Sequence, residues 1–230
     1  MQLILSCEHG GNAVPTEYAE LFSSRRAARA LAGHRGMDIG ALGVAGVLAR
    51  QLAVPLFPAT VTRLLVDLNR SPGHPRLFSE FSRELDRQGR QHLLDAYYTP
   101  HRQAISTEIG RRIAAGRHVV HVGVHSFTPR LGSVERRAEI GLLYDPGRET
   151  ERTLCISWQR QLRACDLRLR VRRNYPYRGR ADGLTTYLRT RFSADRYVGI
   201  ELEINQRLLR SASDALAAKL AETLRRAVSG

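Results

Sequence analysis

An α/β fold built on a largely parallel, covered sheet is what this sequence predicts. Two observations predict it: short apolar runs that suit buried strands, and stretches of three- and four-residue apolar spacing that separate most of them. The strand-like runs lie at residues 3–7, 64–68, 118–124, 140–144, 167–171 and 197–204. The helical patterns lie at residues 41–52, 91–115, 149–164, 183–192 and 213–228. Strands that alternate with helices in this way pair in parallel and are covered on both faces. Ligands of such sheets gather beyond the carboxyl ends of the strands, where loops hold side chains on a rigid base.

The chain has 230 residues, enough for one large core, and reads as a single domain over residues 1–230. The segment Met1 to Ser6 is apolar but short, and Cys7, Glu8 and His9 follow it at once, so it reads as a first buried strand rather than a signal peptide. No uninterrupted apolar stretch approaches the roughly 18 residues of a membrane span, so a soluble protein is expected. The three cysteines, Cys7, Cys155 and Cys165, are an odd number without CxxC spacing. That pattern argues against a disulfide framework and a thiolate-ligated zinc module, and it fits a reducing cytoplasm.

The formal charge of +14 raises nucleic acid as a partner. However, Lys219 is the only lysine, and the arginines are spread along the chain rather than gathered in one tract. No helix-turn-helix, zinc-finger or aromatic-basic motif accompanies the charge, so nucleic acid is not the expected partner. Two loops are rich in Gly, Pro or Asn, at residues 71–75 and 174–183, and there is no internal repeat.

Chemistry is concentrated at the predicted strand ends. The first strand runs into Glu8-His9-Gly10-Gly11-Asn12, with glycines that permit an unusual backbone path. The strand beginning at His118 delivers His125 and Ser126 at its end, with His121 deeper. The loop before the helical pattern at residues 41–52 carries Asp38. Imidazole and carboxylate donors without thiolate suit zinc with an open fourth position, which lets the cation acidify water. The late strand carries Glu201 and Glu203 on one side, since residues two apart in a strand share a face. Two acids in an apolar strand are costly unless they work or pair. Each feature has a plainer alternative. A strand-end histidine is often structural, Asp38 is a favoured residue type for capping the following helix, and Glu201 and Glu203 can meet arginines across the sheet.

The string Val66-Asp67-Leu68-Asn69-Arg70 resembles the Asp-Leu-Asn-Arg run of carboxypeptidase-type zinc peptidases, in which the Asn and Arg bind a substrate carboxylate. Taken with Glu8-His9-Gly10-Gly11, Asp38-Ile39-Gly40, His125-Ser126 and Glu201-Leu202-Glu203, the order resembles the N-formylglutamate amidohydrolase family over roughly residues 3–206. The resemblance implies a three-layer α/β/α fold with a mixed, largely parallel central sheet. It implies one zinc ion on His9, Asp38 and His125, with Glu203 as general base and Glu201 as its rival. Glu8 stands where family members of histidine degradation usually carry proline, and it rivals Asp38 for the metal. Asn69 and Arg70 would hold the carboxylate of a small acidic amide substrate, a task suited to the bidentate guanidinium. Ser126, and Tyr177 and Arg180 of the 174–183 loop, complete the implied substrate contacts. The expected reaction is hydrolysis of an N-formyl or N-acyl bond, as in N-formyl-L-glutamate. Two other classes compete: a serine hydrolase using Ser126, Ser6 or Ser71, for which no GxSxG elbow is present, and a nucleic-acid-binding or purely structural protein that keeps an enzyme fold after losing activity.

Overall fold

The apolar runs at both ends of the chain become neighbours in one sheet. The structure, a computed structural model, describes residues 1–210 and 213–229. Its strands are β1 (Gln2–Cys7), β2 (Leu56–Pro58), β3 (Val119–Phe127), β4 (Arg130–Leu131), β5 (Val134–Glu135), β6 (Ile140–Leu143), β7 (Val171–Arg173) and β8 (Tyr197–Asn205). Six of them form a sheet in the order β2-β1-β3-β8-β6-β7, and β4 pairs with β5 in a separate small hairpin. The pairings within the large sheet are parallel, except that β6 runs antiparallel to β8. The sheet is therefore mixed and largely parallel, and β1, β3 and β8 all end at one edge.

The helices are α1 (Arg25–Ala32), α2 (Ala41–Leu52), α3 (Arg87–Leu93), α4 (Thr99–Ala114), α5 (Glu149–Cys165), α6 (Leu184–Arg191) and α7 (Ser213–Ser229). Helices α2, α5 and α7 bury Val44, Leu48, Trp158 and Leu220 with Leu5, Val122 and Ile200 of the sheet. Helices α4 and α6 cover the opposite face, with Ile105, Ile109 and Leu188 against Ile4, Val119 and Tyr197. Three layers result. Strand alternation sets the division, sending odd-numbered β3 and β8 residues and even-numbered β1 residues toward α4 and α6. Among the described residues, no helix is long and apolar enough to cross a membrane.

Three expected elements take a different form. Residues 64–68 are buried as predicted, but they form turns rather than a strand. Their backbone is satisfied locally and by serines: Leu65 N–H donates to Thr62 O, and Ser82 Oγ donates to Leu65 O. Their side chains fill a separate cluster with Tyr18, Phe22 and Tyr98. The predicted strand at 167–171 begins only at Val171, because Asp166 accepts from Arg168 N–H in a turn and leaves Leu167 90% exposed. The pattern over 91–115 spans α3, a π-helical turn (Leu94–Tyr98) and α4. Pro100 has no N–H to give the preceding turn, which accounts for the break in the α-helical ladder. The sequence reading also missed α1 and the edge strand β2, whose Pro58 is tolerated because an edge strand need not donate on both sides.

Candidate metal centre

Beyond the ends of β1 and β3 the chain must turn sharply, and two glycine features set how. Gly11 passes so close to the backbone of Thr60 that any Cβ would collide with it. Gly40 adopts φ +80°, a left-handed conformation that glycine favours, and serves as the N-cap of α2. This releases Asp38 from capping. Its backbone N–H donates to His9 O, and its carboxylate turns to the imidazoles. The helix-capping alternative for Asp38 is therefore not realised.

Asp38 Oδ2 lies 2.9 Å from His125 Nδ1 and 3.5 Å from His9 Nδ1. One donor atom from each of these three buried residues lies within 4.8 Å of the others. Tetrahedral ligands at zinc bond lengths stand about 3.4 Å apart, so the triangle has the right scale. His9 Nδ1 is buried without a hydrogen-bond partner, while its Nε2 meets Asp67 Oδ1 at 2.7 Å. A buried imidazole nitrogen left free beside a carboxylate fits a cation, and the set of two imidazoles and one carboxylate is zinc-type chemistry.

The electrostatics agree. Burial lowers the basicity of His125, but contacts with Asp38 and Glu8 outweigh it and hold its pKa well above the ordinary value. Burial raises the pKa of Asp38, with His125 opposing, and Arg63 Nη2 reaches the other carboxylate oxygen at 3.1 Å. Sequence reasoning missed Arg63, which lies in a loop without periodicity.

Glu203 sits opposite His125 in the β3–β8 register. Its Oε2 is buried without a partner. Burial pushes its pKa up to about 8, with His125 opposing and Asp38 and Glu201 adding to the rise. Glu201 differs: its Oε1 accepts from Thr185 Oγ1 at 3.1 Å and from Asn69 Nδ2 at 3.5 Å. The two acids share a face, yet only Glu203 is left unengaged.

The other expected residues divide. Asn69 Oδ1 accepts from Leu184 N–H and pins its loop to α6. Arg70 donates to Asp182 O and stays 27% exposed. Ser126 Oγ donates to Ile39 O and accepts from Gln206, tying the Asp38 loop to β3. Tyr177 is exposed and accepts from Arg136, whose guanidinium lies over the Tyr177 ring. Arg180 is 72% exposed and faces Asp145 at 3.5 Å, so its side chain is engaged outside the cluster. As for the serine alternatives, Ser6 Oγ is 2.7 Å from His121 Nε2, but Ser6 is wholly buried and desolvation takes His121 down to about 4. Ser71 Oγ is bonded to Asp182. Neither hydroxyl is presented to a substrate.

The comparisons with known proteins point the same way. The N-formylglutamate amidohydrolase family matches residues 1–210. The crystal structure of gene product Atu2144 from Agrobacterium tumefaciens is 32% identical, with a TM-score of 0.85 over 99% of this chain and 90% of that one. N-formylglutamate amidohydrolase from Ralstonia eutropha is 20% identical, with a TM-score of 0.73 over 100% of this chain and 93% of that one, and shares the fold. No curated protein matches the chain significantly. With the family matched over most of its length, this chain belongs to the N-formylglutamate amidohydrolase family.

Proposed function

We propose that the protein is a zinc-dependent amidohydrolase that cleaves the N-formyl or N-acyl bond of a small acidic amino-acid derivative such as N-formyl-L-glutamate, giving formate and glutamate. The observation that carries this reading is the buried His9–Asp38–His125 triangle beside Glu203, whose Oε2 is buried without a partner. A divalent cation held by the three residues would supply Lewis acidity toward both a carbonyl oxygen and a water. Glu203 accepts a proton from the attacking water and returns it to the departing amine nitrogen, so that the C–N bond breaks without expelling an amide anion. A carboxylate with an elevated pKa suits both halves of that transfer.

On this reading Arg70, with Asn69 steadying its loop, holds the substrate's carboxylate. Arg70→Ala is expected to raise KM for N-formyl-L-glutamate about 10-fold or more with kcat changed only a few-fold, as measured by steady-state kinetics. An unchanged KM would remove Arg70 from the binding role.

The central test is metal removal. Chelator-stripped protein is expected to lose hydrolysis of N-formyl-L-glutamate and related N-acyl amino acids, and one equivalent of zinc is expected to restore it. Activity that survives both chelation and His125→Ala would overturn the assignment.

A further inference from the structure

Glu8 is the first residue beyond β1. It is an acid only 1% exposed, and the proposed chemistry does not use it. Its Oε2 lies 3.0 Å from His125 Nε2, the ring nitrogen opposite the one facing Asp38. Its Oε1 faces His101 Nε2 of α4 at 3.7 Å, and both of those atoms are buried without a hydrogen-bond partner. Gly123 makes room for the arrangement, since a Cβ there would already touch His125 Nε2 at 3.5 Å and Glu8 Oε2 at 3.6 Å.

We propose that Glu8 is a positioning residue for the metal centre: its carboxylate holds the Nε2 proton of His125, fixing the tautomer whose Nδ1 lone pair faces the cation, and His101 steadies that carboxylate from α4. The inference rests on the reading of His9, Asp38 and His125 as metal ligands. Two features support it over a purely structural pair. A carboxylate buried among imidazoles is a poor source of stability, because apolar packing of equal volume serves the fold as well or better. The second imidazole has its acid in the corresponding place: Asp67 bonds His9 Nε2 and leaves Nδ1 turned inward, while on His125 the Glu8 carboxylate stands 3.0 Å from an Nε2 that has no other partner. Both donors are thus backed by an acid on the far nitrogen, an arrangement that orients a ligand and raises its basicity. Sequence order alone made Glu8 a rival ligand. Its place behind His125, across the ring from Asp38, makes it a support for one.

The test measures zinc affinity by competition with a chromophoric chelator, on wild type, Glu8→Gln and His101→Gln, together with the melting temperature of each metal-free form. Glutamine keeps the volume and loses the charge. Glu8→Gln is expected to weaken zinc binding about 10- to 100-fold and His101→Gln to weaken it several-fold, with the metal-free melting temperature showing that each variant is folded under the titration conditions. In the zinc-loaded wild type, long-range proton–nitrogen correlation spectra are expected to place the His125 proton on Nε2. Zinc affinity of Glu8→Gln within threefold of wild type, or a His125 proton on Nδ1, would overturn the proposal. If Glu8→Gln does not fold, His101→Gln decides it on the same scale. A wild type that binds no stoichiometric zinc would instead bring down the underlying metal reading.

Discussion

Exchanging Glu203 for glutamine is expected to lower kcat for N-formyl-L-glutamate by about 10²- to 10⁴-fold, the range for removing a general acid–base group. Zinc stoichiometry should stay at one, since Glu203 lies outside the donor triangle. The same exchange carries a second signature, in the stability of the metal-free protein. Folding raises the pKa of Glu203 from 4.5 to about 8, so the folded chain keeps a proton that the unfolded chain releases. The stability linked to this group is therefore fully present below pH 4.5 and is lost as pH rises through about 8. At about 1.4 kcal/mol per pH unit, the ceiling on that loss is about 5 kcal/mol. Denaturant unfolding of the chelated protein should show wild type losing stability between pH 5 and pH 9, with Glu203→Gln flatter over the same interval. Equal kcat in the two proteins would transfer the role to another group, Glu201 first.

That choice between the two acids shows where the sequence stops being informative. Alternation in β8 puts Glu201 and Glu203 on one face, and nothing local separates them. What separates them comes from elsewhere in the chain: Thr185 of α6 and Asn69 of the 66–70 string reach Glu201 and satisfy it. His9 and His125 were legible because they follow apolar runs that pair in parallel and end at one edge. Asp38 was legible only as one of two possibilities, cap or ligand, until Gly40 took the cap.

Arg63 and Asp67 show the other limit. Asp67 lies in the 64–68 stretch, whose apolar residues read as a strand and which folds as turns, and Arg63 lies just before it. A strand would have alternated Asp67 with its neighbours across a sheet. The turns instead let Asp67 accept from Asn69 N–H and bond His9 in the same place. Side chains brought in by irregular loops leave no periodicity to find, and these supply the groups that back the donor triangle.

Asp38→Asn is expected to abolish stoichiometric zinc, weakening affinity by at least about 10³-fold, and to abolish hydrolysis with it. The asparagine keeps the shape of the side chain and its reach to Arg63. It removes the one negative charge that lies against both imidazoles on the inner side of the triangle. A thousandfold loss corresponds to about 4 kcal/mol, a moderate share of the roughly 10–16 kcal/mol that structural zinc sites supply. The comparison with Glu8→Gln makes this result decisive. Both residues are buried acids in contact with His125, and a general loss of negative charge near the site would weaken zinc equally in the two variants. The geometry instead puts Asp38 at the Nδ1 nitrogen and Glu8 at Nε2, on opposite ends of one ring. A ligand and its support should therefore differ by at least tenfold in effect on the same chelator titration. Equal losses would mean that the two carboxylates share the cation or that neither touches it.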